Sequence, residues 1–243
     1  MRKKIKFFKG FSVTDIAIWG ASVILIIASQ LIFGGGSTFA LAASLVGSTS
    51  LIFNARGNPF GQVLIICFSI MYGIISYTCA YYGEMITYLG MTAPMAVFAF
   101  ISWIRNPSRD DNFKVKINRL SVCETVFAFI LTTVVTVVFY FILKYFDTAN
   151  LIVSTVSVAT SFIAAYLTFR RSAFFAIAYA LNDIVLIILW SMAVSEDISY
   201  LSVTVCFVTF LLNDIYGFIT WLKMRRVQER YTSDAAAALN DIV

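Results

Sequence analysis

The sequence contains no histidine, and only 13% of its 243 residues are charged. Without histidine it lacks the commonest metal ligand and the usual proton carrier near neutral pH. A phosphate loop of the GxxxxGK[ST] type is also absent, which excludes an ATPase site of that type. Soluble domains carry about 25% charged residues, whereas 60% of this chain is hydrophobic. We therefore expect an integral membrane protein with no metal site and no cofactor.

Cysteine is also scarce, and its four positions form no CxxC pair. All four lie in or beside apolar runs: Cys67, Cys79, Cys123 and Cys206. We interpret them as small apolar packing residues rather than as ligands or redox groups.

Long apolar segments divide the chain, and each has about the length that a bilayer core requires of a helix. There are eight: 13–33, 38–53, 61–80, 85–104, 122–146, 150–169, 173–193 and 199–223. Open strands are excluded in lipid, and no alternating barrel pattern is present. The sequence therefore predicts an all-α integral membrane protein, with residues 1–243 forming a single membrane domain of eight transmembrane helices.

The connections between these segments predict the orientation. If the N-terminus is cytoplasmic, every lysine and arginine except Lys144 falls in an inside segment: 1–12, 54–60, 105–121, 170–172 or 223–243. The outer connections carry acidic residues instead: Glu84, Asp147, Glu196 and Asp197. Positive residues stay on the cytoplasmic side during insertion. We expect both termini in the cytoplasm, and we interpret the net charge of +5 as a topology signal rather than a nucleic-acid surface.

The two halves of the chain resemble each other. The motif at 83–89 (GEMITYL) matches 195–201 (SEDISYL), and 100–105 (FISWIR) matches 218–223 (FITWLK). This predicts two parallel three-helix repeats, 38–104 and 150–223. A linker helix, 122–146, then returns the chain to its starting side, and 13–33 is an extra N-terminal helix. Parallel repeats are a known transporter plan, with the substrate between them near the midplane. The tail after Tyr231 is expected to be a frayed helix end or disordered.

Polar residues recur inside the apolar segments at helical spacing. Segment 7 carries Tyr179, Asn182, Asp183 and Trp190. Segment 8 carries Asn213 and Tyr216 on one stripe and Asp214 on the adjoining one, and segment 3 carries Gln62 and Tyr72. An aspartate at the membrane centre costs about 2.5–3.5 kcal/mol on insertion scales, so it normally faces a cavity or a partner. These nine residues are our candidates for a substrate site between three helices.

Other polar and aromatic residues have simpler interpretations. Ser69, Ser76, Thr209 and Thr220 are expected to hydrogen-bond between packed helices. Trp103 and Trp221 are expected to anchor the helices at the membrane interface. Pro94 is expected to kink the fourth segment.

These motifs resemble those of a known family. The pairs Asn182-Asp183 and Asn213-Asp214, the sequence Tyr216-Gly217 followed by Trp221, and the turn at 57–59 before Gln62 are similar to the bacterial PnuC-type vitamin transporters. The resemblance covers about residues 38–226. It implies two three-helix bundles joined by a linker helix, as in SWEET sugar transporters, in a homotrimer in the inner membrane.

The same resemblance implies a function. It indicates facilitated diffusion of nicotinamide riboside, which a cytoplasmic kinase then traps by phosphorylation, with thiamine or riboflavin as the alternative cargo. The residues suit this chemistry, since aromatic faces and carboxylates attract a cationic ring, and amides donate and accept hydrogen bonds. A proton-coupled carrier that uses Asp183 or Asp214 stays open. A membrane enzyme lacks any supporting motif, and a structural or signalling protein leaves the buried Asn-Asp pairs unexplained.

Overall fold

The computed structural model describes residues 11–33, 38–78, 81–109, 111, 113–148, 150–195 and 197–240, without the side chains of 199 and 235–240. Nearly all of these residues are helical. In chain order the elements are α1 (Val13–Phe33), α2 (Thr38–Ala55), α3 (Phe60–Thr78), α4 (Tyr82–Thr87), a π-helical turn (Tyr88–Thr92), α5 (Ala93–Ile104), α6 (Val122–Tyr145), α7 (Leu151–Phe169), α8 (Phe175–Val194), a 3₁₀ turn (Ile198–Tyr200) and α9 (Leu201–Asn240).

Eight helices in the described part of the chain are long and apolar enough to cross a membrane, as the sequence predicts. The fourth span is continuous from Tyr82 to Ile104, because α4, the π turn and α5 follow one another without a break. Pro94 stands at the start of α5, directly after the π turn. Since proline has no N–H and crowds the preceding turn, it accounts for the irregular helix at this point.

Two matching turns end α2 and α7 at the basic end of the bundle. Gly57 and Arg171 adopt left-handed backbone angles, with φ of +66° and +57°. In each turn the next residue donates its N–H five positions back: Asn58 to Phe53 and Ser172 to Leu167. This is the Schellman pattern, which satisfies the last carbonyls of a helix.

The extra helix α1 lies against α2 and α9 and is held there by polar contacts. Its buried Asp15 forms an ion pair with Arg56 at the end of α2. Tyr216 on α9 donates its hydroxyl to Asp15 Oδ1 at 2.7 Å. In lipid such contacts hold helices together, since burial of apolar surface gives no driving force there.

The structure corrects the interpretation of the two tryptophans. Trp103 and Trp221 are fully buried, with ring centroids 5.4 Å apart. The Trp103 indole N–H donates to the Thr168 carbonyl, and that of Trp221 donates to the Asn54 carbonyl, each at 2.8 Å. They join helices inside the bundle, so the prediction that they anchor it at the membrane surface is wrong.

Two further predictions need correction. Glu84, expected in an outer loop, lies within α4 and is only 3% exposed. The last segment, predicted to end at 223, continues as α9 to Asn240, and this helix includes the residues after Tyr231. Several predicted features lie outside the described residues: the basic positions from 2 to 9, Cys79, Glu196 and the end of the third segment.

Candidate functional site

A central cavity lies among α2, α3, the π turn, α7, α8 and α9. Its volume is about 50 Å³. Its wall consists of Leu51, Asn54, Ile65, Phe68, Tyr88, Thr92, Ser161, Phe175, Tyr179, Asn182, Asp183, Phe207, Phe210 and Asp214. The cavity therefore draws on both halves of the sequence and combines aromatic rings with a few polar groups.

Aromatic rings form a continuous wall on one side of this cavity. The ring centroid of Phe68 lies 5.7 Å from that of Phe210 and 5.9 Å from that of Tyr88. Phe207 stands 5.7 Å from Phe210. These separations fall in the range for edge-to-face packing, and they leave ring surfaces to meet a flat ligand.

Two buried carboxyl groups lie next to each other in the wall of the cavity. Asp183 on α8 and Asp214 on α9 are 4% and 6% exposed and interact directly through their side chains. Within the described part of the chain no donor reaches Asp183 Oδ2, and none of the described cavity-lining residues is a lysine or arginine. Two adjacent carboxylates repel each other unless a proton or a cation lies between them, so this pair favours a positively charged guest.

Amide side chains flank the acidic pair with their oxygens already occupied. Asn182 Oδ1 accepts hydrogen bonds from Thr160 and Ser161, both at 2.8 Å. Asn54 Oδ1 accepts from Gln62 at 2.9 Å. This arrangement leaves the amide N–H groups of Asn54 and Asn182 as the donors that a ligand can meet.

Gln62 does not line the cavity but holds Asn54, which does. The neighbouring Gly61 leaves room for the Asn54 side chain. A Cβ atom at Gly61 would overlap the side-chain oxygen of Asn54. The sequence Gly61-Gln62 therefore both admits the Asn54 side chain and fixes its orientation.

Tyr72 and Trp190 lie beyond the cavity, towards the other end of the bundle. The Tyr72 ring packs 4.4 Å from Tyr88 and 6.3 Å from Trp190. Trp190 in turn packs 5.0 Å from Tyr81, in the connection that leads into α4. Because Tyr88 belongs to both groups of rings, this aromatic cluster closes the cavity at the end opposite the basic turns.

A buried carboxyl group accompanies this aromatic cluster. Among the residues that the structure describes, Glu84 Oε2 has no hydrogen-bond partner, and its carboxyl lies near the side chains of Tyr72 and Tyr88. Tyr88 also interacts with Asp183. Acidic groups therefore follow one another from the closed end of the bundle to the cavity.

The structure does not bring Asn213 and Tyr216 to the cavity. Asn213 Nδ2 donates to Ser22 on α1 at 2.7 Å, and Tyr216 contacts Asp15 on the same helix. Successive residues of a helix point about 100° apart, so Asp214 faces the cavity while Asn213 faces α1. Of the nine candidates, four line the cavity: Tyr179, Asn182, Asp183 and Asp214.

Sequence reasoning missed several cavity residues: Asn54, Tyr88, Thr92, Ser161, Phe207 and Phe210. Asn54 was placed in a loop, although α2 extends to Ala55. The only local signal for it was an amide at the end of an apolar run, and the rings carry no signal that separates a cavity wall from a packed core. Among the described residues no cluster of His, Cys, Asp or Glu can hold a metal ion.

Comparisons with known proteins agree on one family. A sequence profile described as "Nicotinamide mononucleotide transporter" matches residues 37–223. The nicotinamide riboside transporter PnuC of Neisseria mucosa is 24% identical over 212 residues, which cover 86% of this chain and 81% of that protein. A crystal structure of the vitamin B3 transporter PnuC superposes with a TM-score of 0.80 at 22% identity, covering 91% of this chain and 96% of that one. The chain therefore belongs to the nicotinamide mononucleotide transporter family of multi-pass membrane transporters.

Proposed function

We propose that this protein carries nicotinamide riboside across the bacterial inner membrane by facilitated diffusion. The observation that carries the proposal is the central cavity, which is aromatic and acidic and is lined by no basic side chain. Nicotinamide riboside combines a flat pyridinium cation with a carboxamide and ribose hydroxyls. The relative from Neisseria mucosa is named for the same cargo.

Each part of this cargo has a counterpart in the cavity. The cationic ring is attracted both by aromatic faces such as Phe210, an interaction of about 0.5–2 kcal/mol, and by Asp183 and Asp214. The amide N–H groups of Asn54 and Asn182 are placed to donate to the carboxamide oxygen or to a ribose hydroxyl. The acidic pair thereby selects for charge, and the amides orient the ring.

The same cavity argues against a phosphorylated cargo. The phosphate of nicotinamide mononucleotide is negatively charged at neutral pH, and arginine or lysine normally receives such a group. With two carboxyl groups and no basic side chain lining the cavity, the nucleotide meets repulsion. We therefore propose the nucleoside as the cargo and intracellular phosphorylation by a kinase as the step that traps it.

The wider architecture proposed from the sequence fits this function. We infer that α2–α5 and α7–α9 are parallel repeats of the SWEET type around the cavity, with α6 as the linker and α1 as an addition. Two reciprocal contacts support this inference: Trp103 in the first half bonds to the end of α7, and Trp221 in the second half bonds to the end of α2. The matched turns at Gly57 and Arg171 support it as well. We also propose that both termini are cytoplasmic and that the protein assembles as a homotrimer.

Uptake into proteoliposomes tests the function. We expect labelled nicotinamide riboside to equilibrate across the membrane without a proton gradient, and to accumulate only when the lumen contains a kinase and ATP. Unlabelled nicotinamide riboside should compete, whereas nicotinamide mononucleotide should not. Accumulation that needs an inward proton gradient and collapses with a protonophore would support the alternative, a proton-coupled carrier. Competition by thiamine or riboflavin alone would reassign the cargo within the family.

A further inference from the structure

Two neighbouring cavities lie at the basic end of the bundle, away from the central cavity. The first has a water-accessible volume of about 560 Å³ between the 105–121 connection and the last turns of α9. Its wall contains four basic side chains and one acidic one: Arg109, Lys116, Arg119, Arg225 and Glu229. The excess of positive charge makes it a receptor for an anion.

The second cavity, of about 400 Å³, is an apolar groove between α6 and α7. Its apolar wall includes Phe129, Leu167 and Phe174. Phe129 and Phe174 are 62% and 50% exposed. Among the described helices α6 packs mainly against α7, so the rest of its surface is uncovered. Because α6 and α7 are membrane-spanning helices, we expect the apolar part of this groove to face the hydrocarbon of the bilayer rather than water.

Two arginines belong to both cavities. Arg119 and Arg225 line the basic pocket and the end of the apolar groove. Glu229 holds the two guanidinium groups together, since it accepts hydrogen bonds from Arg119 at 2.5 Å and from Arg225 at 2.8 Å. One carboxylate cannot balance both arginines and the further basic residues of the pocket, so the shared point retains positive charge.

We propose that these two cavities together form a binding site for an anionic phospholipid. The headgroup phosphate lies at Arg119 and Arg225, where guanidinium groups provide charge-assisted hydrogen bonds, and an acyl chain fills the groove along α6 and α7. Basic pockets beside transmembrane helices recognise anionic headgroups in this way. A free nucleotide or inorganic phosphate matches the basic pocket only and leaves the apolar groove empty.

The site also sits where a lipid can stabilise the cytoplasmic end of α9. Gln228 fixes the 105–121 connection to this helix, since its Oε1 accepts from Ile117 N at 2.9 Å and its Nε2 donates to the Val115 carbonyl at 3.1 Å. A headgroup held between Arg119 and Arg225 bridges the same two segments. Lipid binding is therefore expected to raise the thermal stability of the folded protein.

Lipid retention by the full-length protein tests the proposal. Purified protein is delipidated and titrated with phosphatidylglycerol or with phosphatidylcholine of the same acyl chains, and bound lipid is counted by native mass spectrometry. We expect phosphatidylglycerol to bind about 30-fold more tightly, since each of the two arginines near a membrane surface contributes about a fivefold preference. The double variant Arg119→Gln, Arg225→Gln should lose this preference. Arg226→Gln, which changes the exposed neighbouring residue outside both cavities, should retain it.

Two further arms separate the lipid from other occupants. Thr125→Trp fills the apolar groove while leaving both arginines in place, and it should weaken lipid retention without weakening any binding of inorganic phosphate. Equal binding of the two lipids by the parent protein would overturn the proposal. So would displacement of the lipid by millimolar phosphate, which would indicate a free-anion site. Lipid binding only by dissociated subunits, and not by the assembled protein, would assign this face to a second copy of the chain.

Discussion

The contrast between Asn182 and Asn213 shows how one residue type can serve either in the cavity wall or in helix packing. Both are asparagines followed by aspartate, and both are buried in the middle of an apolar helix. Asn182 lines the cavity, whereas Asn213 donates to Ser22 and to the Thr209 carbonyl. The same side chain therefore has two different roles in α8 and α9.

We predict that the same substitution weakens cargo affinity at one of these positions and thermal stability at the other. Asn182→Leu removes a donor to the cargo, and a bound partner left unsatisfied costs about 1–3 kcal/mol, which corresponds to about 5- to 150-fold weaker affinity. Asn213→Leu breaks a contact to α1 and should lower the thermal unfolding temperature with affinity unchanged. Calorimetric titration with nicotinamide riboside and thermal unfolding of both variants check this, with Ser76→Ala as a packing control. Weakened binding in Asn213→Leu alone would reverse the site assignment.

Sequence reasoning identified which residue types form the site but not which face of α9 they occupy. The cost of burying Asp183 and Asp214 in lipid is visible in the sequence, and both do line the cavity. Asn213 and Tyr216 carry the same signal, because an interior stripe looks alike whether it meets a cavity or another helix. What separates them is the position of α1, more than 170 residues away in the chain, and no local pattern encodes that contact.

At the scale of helices, the π turn in the fourth span sets the relative orientation of two cavity residues. Tyr88 and Thr92 stand at its two ends, and both line the cavity. A π turn contains one residue more than the corresponding α-helical turn and is frequent at functional sites. The insertion therefore adjusts the directions of Tyr88 and Thr92 relative to each other within the cavity wall.

Deletion of Gly90 tests the role of the turn. Removing one residue is expected to restore regular α-helix and to place Tyr88 and Thr92 three positions apart instead of four, which changes how the two side chains meet the cavity while the flanking helices keep their register. The variant should insert and remain helical but lose most of its uptake activity. Gly90→Ala is the matched control, because its added Cβ has no neighbour closer than 4.0 Å. Uptake by the deletion variant equal to that of Gly90→Ala would show that the turn has no part in function.

Helix boundaries were predictable where hydrophobicity and charge change together. The predicted and observed limits of α1 coincide, and those of α6 and α7 differ by a single residue. The sequence predicts a last membrane span that ends at 223 and a frayed or disordered end after Tyr231, whereas α9 is helical to Asn240. Hydropathy marks where a helix leaves the bilayer, whereas continuation in water depends on tertiary contacts such as those of Gln228.

For the whole molecule, the distribution of basic residues predicts the orientation in the membrane. Ser195 and Ser233 are exposed positions near opposite ends of the bundle, and cysteine fits either site with little change in volume. In a background without native cysteines, a membrane-impermeant maleimide should label Ser195→Cys in intact cells. Ser233→Cys should react only after permeabilisation. Labelling of Ser233→Cys from outside would invert the proposed topology.

The cavity is closed in the conformation described, and this has a consequence for transport. The cavity volume, about 50 Å³, is enough for a few water molecules but too small for a nucleoside. The cluster of Tyr72, Tyr81, Tyr88 and Trp190 blocks one end, and the buried Trp103 and Trp221 lie near the other. Movement of these rings must accompany entry and release, which is the general expectation for alternating access between repeats.

Charge selection in the central cavity is the core of this account, and one binding measurement tests it directly. Nicotinamide riboside and its reduced dihydropyridine form are nearly identical in shape, but only the oxidised form is a cation. A unit charge about 8 Å away at an effective dielectric constant of about 20 contributes roughly 2 kcal/mol, or about 30-fold in affinity. Titration calorimetry should show the parent protein preferring the oxidised form by about this factor. The isosteric variant Asp183→Asn, Asp214→Asn should fold and bind both forms alike. The same preference in parent and variant would contradict the account.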